Sequence, residues 1–315
     1  MIFRQQGRTL VVHAPAKLNL FLEVLGKRLD GYHELETLMV TVGQYDTLRF
    51  TEESFSTLSL SSSGSSGDSS STDTPLTCRW AGPPACSPGP LPTGGDNLVV
   101  RAAQLLRDVS GISRGVRIEL TKRIPLAAGL AGGSSDCAAT LLALNRSWEL
   151  GLSNQHLLDL AARLGSDVAF FLTRASAAVC RGRGEIIEPV AIPMRLHFVI
   201  AKPASGLMTA TVFRHCRATA TPRSAQPLVS ALRAGRLSLA ASHLHNTLQP
   251  PAEQLNSDVV RLRRLFDRLP FLGHQMSGSG TSYFGLCSQR EQALALAAKV
   301  RSVGCDHVFV ASTQP

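Results

Sequence analysis

The sequence predicts an α+β fold in two domains. Three observations carry this: residues 9–25 and 35–51 alternate as strands do, the middle of the chain holds capped apolar helices, and its end reads strand, helix, strand. The 315 residues are enough for two buried cores, and 44% hydrophobic against 17% charged residues is an ordinary globular balance. The expected boundary lies near residue 190, giving an N-terminal domain at 1–189 and a C-terminal domain at 190–315.

Each element has its own signal. In 9–25, Leu18, Leu20, Leu22 and Val24 fall on one side of a strand, and Lys17, Asn19, Phe21 and Glu23 on the other, which is read as exposed at Lys17 and Asn19. Asp30-Gly31 signals a turn, and extended runs follow at 35–42 and 46–51. Residues 54–95, a serine tract followed by a proline- and glycine-rich stretch, read as a flexible insertion too poor in apolar side chains to fold alone. Trp80 and two cysteines near its end suggest contact with the body of the protein. Asp96-Asn97-Leu98 caps a helix through 106, and a strand at 116–120 leads into a glycine-rich loop. A helix at 135–148 follows, then one with Ser153 as cap and Gly165 as stop. Residues 168–172 read as buried, helix or strand. Strands near 177–180 and 196–201 precede a helical stretch, and 282–286, 290–301 and 307–311 close the chain as strand, helix and strand.

Composition removes several function classes. No run approaches the roughly 20 apolar residues of a membrane span, and the N-terminus has no apolar leader, so a cytoplasmic protein without a membrane partner is expected. Seven scattered cysteines form no C-x-x-C pair and no zinc spacing, so reduced thiols are expected. The net charge of +9 favours anions in general, but its arginines are dispersed, and the one cluster (Arg261, Arg263, Arg264, Arg268) falls on a solvated helix face. No nucleic-acid motif accompanies it.

Four segments carry chemistry. Pro125-Leu126-Ala127-Ala128-Gly129-Leu130-Ala131-Gly132-Gly133-Ser134-Ser135 ends where a helix begins. Small residues let backbone N–H groups approach an anion, and the helix N-terminus adds its dipole. Alone, the loop fits equally a tight strand-to-helix turn without a ligand; it matches neither the P-loop nor the Rossmann pattern. Lys17 with Asn19 reads as an edge charge or as a fixed ammonium for a carboxylate or phosphate. Asp167, before the apolar run 168–172, is a helix cap or a proton acceptor. Met276-Ser277-Gly278-Ser279-Gly280-Thr281-Ser282 is a second glycine-rich loop, by itself compatible with a bulge or hairpin entry.

Together, and in this order, these segments resemble the GHMP kinase superfamily of galactokinase, homoserine kinase and mevalonate kinase type. The resemblance rests on Ala14-Pro15-Ala16-Lys17-Leu18-Asn19-Leu20, Asp30-Gly31-Tyr32-His33, Asp96-Asn97-Leu98, the 125–135 loop, Leu164-Gly165-Ser166-Asp167-Val168, Gly182-Arg183-Gly184-Glu185 and Ser277-Gly278-Ser279-Gly280. The Asp-Gly-Tyr-His element points to the branch that phosphorylates a cytidine-diphosphate alcohol. The resemblance implies a ribosomal-protein-S5-like N-terminal domain and a ferredoxin-like C-terminal one. It implies transfer of the γ-phosphoryl of ATP to the 2-hydroxyl of 4-diphosphocytidyl-2-C-methyl-D-erythritol, in non-mevalonate isoprenoid biosynthesis. Asp167 is then the base, Lys17 the partner that favours its ionised form, and 125–135 the ATP-phosphate loop. Asn19 lies near the reacting hydroxyl, Tyr32 and Phe213 sandwich the cytosine, and His33 bonds its edge. Thr209, Gly278, Ser279 and Gly280 complete the substrate side. Mg2+ is carried mainly by ATP, with Ser134 or Ser135 as possible protein donors. The protein is expected as a monomer or weak homodimer.

The chain departs from the family pattern in its insertion, in Ala169 where proline is usual, and in Asn246-Thr247-Leu248 where Asn-Asp-Leu is commoner. Two other readings are a GHMP kinase for a different alcohol and a nucleotide-binding protein without catalysis. Binding of a cytidine diphosphate ligand separates the first, and the retained Lys17 and Asp167 count against the second.

Overall fold

The computed structural model describes residues 1–53, 75–81, 91–112, 114–305 and 307–314. Most of the expected flexible insertion, 54–74 and 82–90, lies outside the described residues. The chain packs as two compact units, each assembled from separate stretches.

The first unit comprises residues 1–14, 46–123 and 133–168. Strand β1 (Ile2–Gln6) pairs antiparallel with the start of β2 (Thr9–Lys27). The end of β3 (His33–Glu53) pairs antiparallel with β5 (Gly115–Lys122), and β4 (Leu76–Trp80) lies parallel to β5. The end of the insertion, with Trp80, is thus part of a sheet. Asn97 Oδ1 accepts the Val99 N–H at 2.9 Å to start α1 (Leu98–Ser110), and Gly111 ends it at φ 67. Helix α2 (Gly132–Ser147) begins within the glycine-rich loop. Helix α3 (Asn154–Leu164) is capped by Ser153 as predicted and packs against α1.

Alternation along β5 explains a buried ionic cluster of this unit. Val116, Ile118, Leu120 and Lys122 share the buried face, while Arg117 and Glu119 face solvent. The period of two therefore carries the Lys122 ammonium inward, where it must be paired. It donates to Asp46 Oδ2 on β3 and, at 2.7 Å, to Asp136 Oδ2 near the start of α2. Asp46 Oδ1 also accepts the Arg123 N–H at 2.5 Å. Burial, with Asp46 adding to it against the pull of Lys122, pushes the Asp136 carboxyl up to about 8. The two carboxylates outweigh burial at Lys122 and raise it to about 12.

The second unit comprises 15–45, 124–132 and 169–315. Here β3 pairs with β6 (Ala177–Gly182), which turns back into β7 (Ile186–Pro189), and the short β9 (His245–Asn246) lies parallel to β2. The ambiguous run 168–172 is helix α4 (Val168–Leu172). The helical stretch resolves as α5 (Thr209–His215), α6 (Gln226–Arg233), α7 (Leu237–Ser242), α8 (Gln249–Leu255) and α9 (Ser257–Phe266). A four-stranded antiparallel sheet runs β10 (Gly273–Met276), β11 (Tyr283–Cys287), β8 (His197–Lys202), β12 (His307–Ser312), with α10 (Arg290–Ser302) packed on β8 and β12. In sequence order these strands read 2-3-1-4, the ferredoxin-like arrangement expected of the C-terminal part.

Strand β8 serves two cores. Phe198 and Ile200 join a cluster with Leu18, Leu20, Leu38 and Leu228, whereas Val199 and Ala201 join another with Leu262, Phe266, Leu296 and Val300. On α9, Arg261 pairs with Asp258 at 3.2 Å and Arg263 with Asp267 at 3.2 Å, so the arginine cluster is partly neutralised by its own helix. No disulfide joins the described cysteines, and no described helix is long and apolar enough to cross a membrane.

Replacing Lys122 by Met should destabilise the chain by about 3–5 kcal/mol in urea unfolding, because two buried acids lose their cation. The folded Asp136 holds its proton from the ordinary 3.8 up to about 8, so its contribution is complete below the first value and lost above the second. Urea titrations should show the wild type losing stability relative to Asp136→Asn as pH rises through that window.

Candidate active site

The alternation of β2 places Lys17 and Asn19 on one side, as predicted, but both are buried, at 3% exposure each. The expectation of exposed residues is corrected here, because loops distant in sequence cover that side. Lys17 Nζ donates to Asn19 Oδ1 at 2.5 Å and to the Gly129 carbonyl at 3.0 Å. Asn19 Nδ2 donates to Thr37 Oγ1 at 2.9 Å, and Thr37 in turn to the Phe21 carbonyl at 2.6 Å, which sets the orientation of the amide. Ser277 Oγ accepts the Asn19 N–H at 3.2 Å and donates to the Gly129 carbonyl at 3.0 Å. Ammonium, amide and two glycine-rich loops thereby form one hydrogen-bonded cluster.

The first loop meets this cluster through backbone that only small residues allow. Ala127, Gly129 and Ala131 have φ of 47, 70 and 54. Left-handed residues in alternation with others are compatible with an anion cradle, the reading the sequence offers for this loop. For the two alanines this conformation costs about 1–2 kcal/mol each. Bonds from the Lys17 N–H to the Leu130 carbonyl and from the Ser282 N–H to the Ala128 carbonyl, both 3.1 Å, hold it. At Gly129 no side chain fits, since a Cβ would sit 2.0 Å from the Ser277 carbonyl oxygen. Pro125 and Ala128 lead through the loop with Leu130 buried at 1%, while Leu126 is exposed.

The second loop is equally constrained. Asn246 Nδ2 donates to the carbonyls of Met276 (2.8 Å) and Gly278 (2.9 Å), and a Cβ on Gly278 would lie 3.2 Å from both Lys17 Nζ and Asn19 Oδ1. Gly278 and Gly280 take φ of 56 and 89, and Ser279 Oγ bonds Thr209 Oγ1 at 2.9 Å, tying the loop to α5.

Of the residues expected around the base, His33 and Phe213 meet, ring centroids 5.0 Å apart. Burial, then Lys27, holds His33 below its ordinary 6.5, so the imidazole is neutral near pH 7. Tyr32 follows an Asx turn in which Asp30 Oδ1 accepts its N–H at 3.1 Å. Asn246 and Thr37 join the site without having been expected there, and Ser277 was expected only as part of its glycine-rich loop. A lone Asn-Thr-Leu or a strand threonine carries no local signal, and their roles come from contacts across the fold. The Thr247 departure has a physical reading too. Its hydroxyl donates to the fully buried Glu23 at 2.7 Å, where an aspartate would set a second carboxylate against the first.

In the first unit, Asp167 lies half-buried in the turn between α3 and α4. Gly132 and Gly133 open α2, followed by half-buried Ser134 and fully buried Ser135, whose Oγ has no partner among the described residues. No three His, Cys, Asp or Glu residues among those described are grouped to hold a metal. An orphan hydroxyl without a carboxylate cage suits a cation that arrives with a phosphate ligand.

The family described as GHMP kinases N terminal domain matches residues 97–174, and that described as GHMP kinases C terminal matches 228–304. A 4-diphosphocytidyl-2-C-methyl-D-erythritol kinase of Pelotomaculum thermopropionicum is 39% identical over 91% of this chain and 92% of its own length. Its counterpart in Alkaliphilus metalliredigens is 37% identical over 86% and 85%. The crystal structure of a 4-(cytidine 5'-diphospho)-2C-methyl-D-erythritol kinase superposes with a TM-score of 0.76 at 32% identity, covering 97% of this chain and 99% of that one. With both GHMP segments in order and likeness running through nearly the whole of each relative, the chain belongs to the 4-diphosphocytidyl-2-C-methyl-D-erythritol kinase family of GHMP kinases.

Proposed function

We propose that this chain transfers the γ-phosphoryl group of ATP to the 2-hydroxyl of 4-diphosphocytidyl-2-C-methyl-D-erythritol, a step of non-mevalonate isoprenoid biosynthesis. The observation that carries the reading is the buried cluster in which Lys17 Nζ meets Asn19 Oδ1 and the Gly129 carbonyl, because it fixes a cation at a glycine-rich loop of phosphate-binding type. Asp167 accepts the proton of the 2-hydroxyl as that oxygen bonds to the γ-phosphorus and the bond to the bridging oxygen of ADP breaks. Lys17 is the cationic partner that orients this base. The 125–135 loop receives the ATP phosphates. Asn19 orients the hydroxyl, and Thr209, Gly278, Ser279 and Gly280 border the alcohol. Tyr32 and Phe213 enclose the cytosine, and neutral His33 bonds its edge.

Ser134 and Ser135 would offer their hydroxyls to a magnesium ion carried by ATP, which would supply charge neutralisation at the phosphates. We further propose a cytoplasmic monomer or weak homodimer, with the N-terminal kinase segment of the sequence ending near residue 189.

The test is ATP consumption with the cytidylylated substrate; absence of turnover above background overturns the reading. Asp167→Asn should lower kcat by about 10³-fold while leaving substrate binding near wild type, since a general base contributes on that order. Gly129→Ala should raise the KM for ATP more than tenfold and lower Tm, because its methyl would displace the Ser277 carbonyl, 2.0 Å from the new Cβ.

A further inference from the structure

The hairpin between β6 and β7, Gly182-Arg183-Gly184-Glu185, belongs to the diagnostic segments yet has no role in the chemistry above. Its geometry is built to aim one side chain. Gly184 donates its N–H to the Arg181 carbonyl at 3.0 Å and closes the turn. The Glu185 carboxylate folds back under it, accepting the Arg183 N–H at 2.5 Å and lying 3.9 Å from Arg183 Nε. A Cβ at Gly182, where φ is +73, would stand 2.6 Å from that carboxylate, so the glycine makes room for it.

The guanidinium held in this way lies over the ring of Tyr32, Cζ 4.6 Å from the centroid. Tyr32 comes from the tight Asp30-Gly31 turn that leads into the neighbouring strand, where Leu35 on β3 pairs with Gly182 on β6. Its backbone is fixed on both sides, through the Asp30 Oδ1 bond and through its carbonyl, which accepts the Arg28 N–H at 2.8 Å. The residue itself is 51% exposed, so its ring stands out from the turn with room for a ligand. A flat ring has two faces. Arg183 covers one, and a cation on that face restrains the side-chain torsions and bars a base from stacking there.

We propose that Arg183 is a positioning residue for the nucleobase. It holds Tyr32 as a shelf with one open face, so that a pyrimidine stacks in a single orientation. This rests on the reading that Tyr32 stacks the cytosine of the substrate. Glu185 takes up part of the guanidinium's charge, which fits a stacking role better than a direct grip on the diphosphate.

The experiment compares wild type, Arg183→Met, Arg183→Lys, Tyr32→Leu and the Tyr32→Leu/Arg183→Met double variant in the full chain. For each, Tm, kcat, both KM values and calorimetric binding of CDP are measured. Arg183→Met should raise the KM for the cytidylylated alcohol and weaken CDP about tenfold, with kcat, the KM for ATP and Tm unchanged. Arg183→Lys should recover part of the loss, since an ammonium also stacks on the ring. In the Tyr32→Leu background the Arg183 substitution should add nothing. Equal CDP binding by wild type and Arg183→Met overturns this inference alone. So does an undiminished loss in the Tyr32→Leu background, which would make Arg183 a direct substrate ligand. A wild-type chain that binds no CDP overturns the nucleobase reading and this inference with it.

Discussion

The carbonyl oxygen of Gly129 accepts two hydrogen bonds, one from Lys17 Nζ and one from Ser277 Oγ, and the site is organised around that oxygen. A buried ammonium must have partners, and a carbonyl without its donors would be costly in the same place. The strand that carries Lys17, the loop that carries Gly129 and the loop that carries Ser277 can therefore be stable only when all three are assembled. This is why Gly129 must lack a side chain, and why strained φ values at Ala127 and Ala131 persist: the surrounding bonds over-determine them.

The same logic recurs in the first unit at Lys122. There a cation arrives on the buried face of a strand through strict alternation and draws in one acid from β3 and another from α2. Two acids against one cation leave a surplus of negative charge, and Asp136 relieves it by keeping its proton. In both units a lysine on an inward strand position recruits its surroundings, but the partners differ. Around Lys17 they include an amide oxygen and a backbone carbonyl; around Lys122 they include the acids Asp46 and Asp136.

Much of this was legible in the sequence wherever the signal was local. The caps at Asn97 and Ser153, the alternation of β2 and β5, and the closing strand–helix–strand all follow from neighbouring residues. The short strands β7, β9 and β10 have too few residues for any period to emerge, and pairing alone defines them. The burial of Lys17 and Asn19 was misread because the covering oxygen and hydroxyl lie 112 and 258 residues away. The Lys122 cluster was invisible for the same reason, its partners being 76 and 14 residues distant. The site's residue types could be read from motifs; the His33–Phe213 contact needed the fold, since it spans two segments without a shared pattern.

Strands β2 and β3 each begin in one compact unit and end in the other, and the first unit is closed only when three separate stretches meet. No single cut therefore yields an intact half. A fragment ending near residue 190 would divide the cluster that joins Leu18, Leu20 and Leu38 to Phe198, Ile200 and Phe284, leaving each piece with apolar surface that its own chain cannot cover. Such a topology places contacts of long sequence separation early among the requirements of folding, which slows the search for the native state. It also makes the enzyme a poor subject for domain swapping by gene fusion, because a module that is woven from alternating segments cannot be transplanted as one piece.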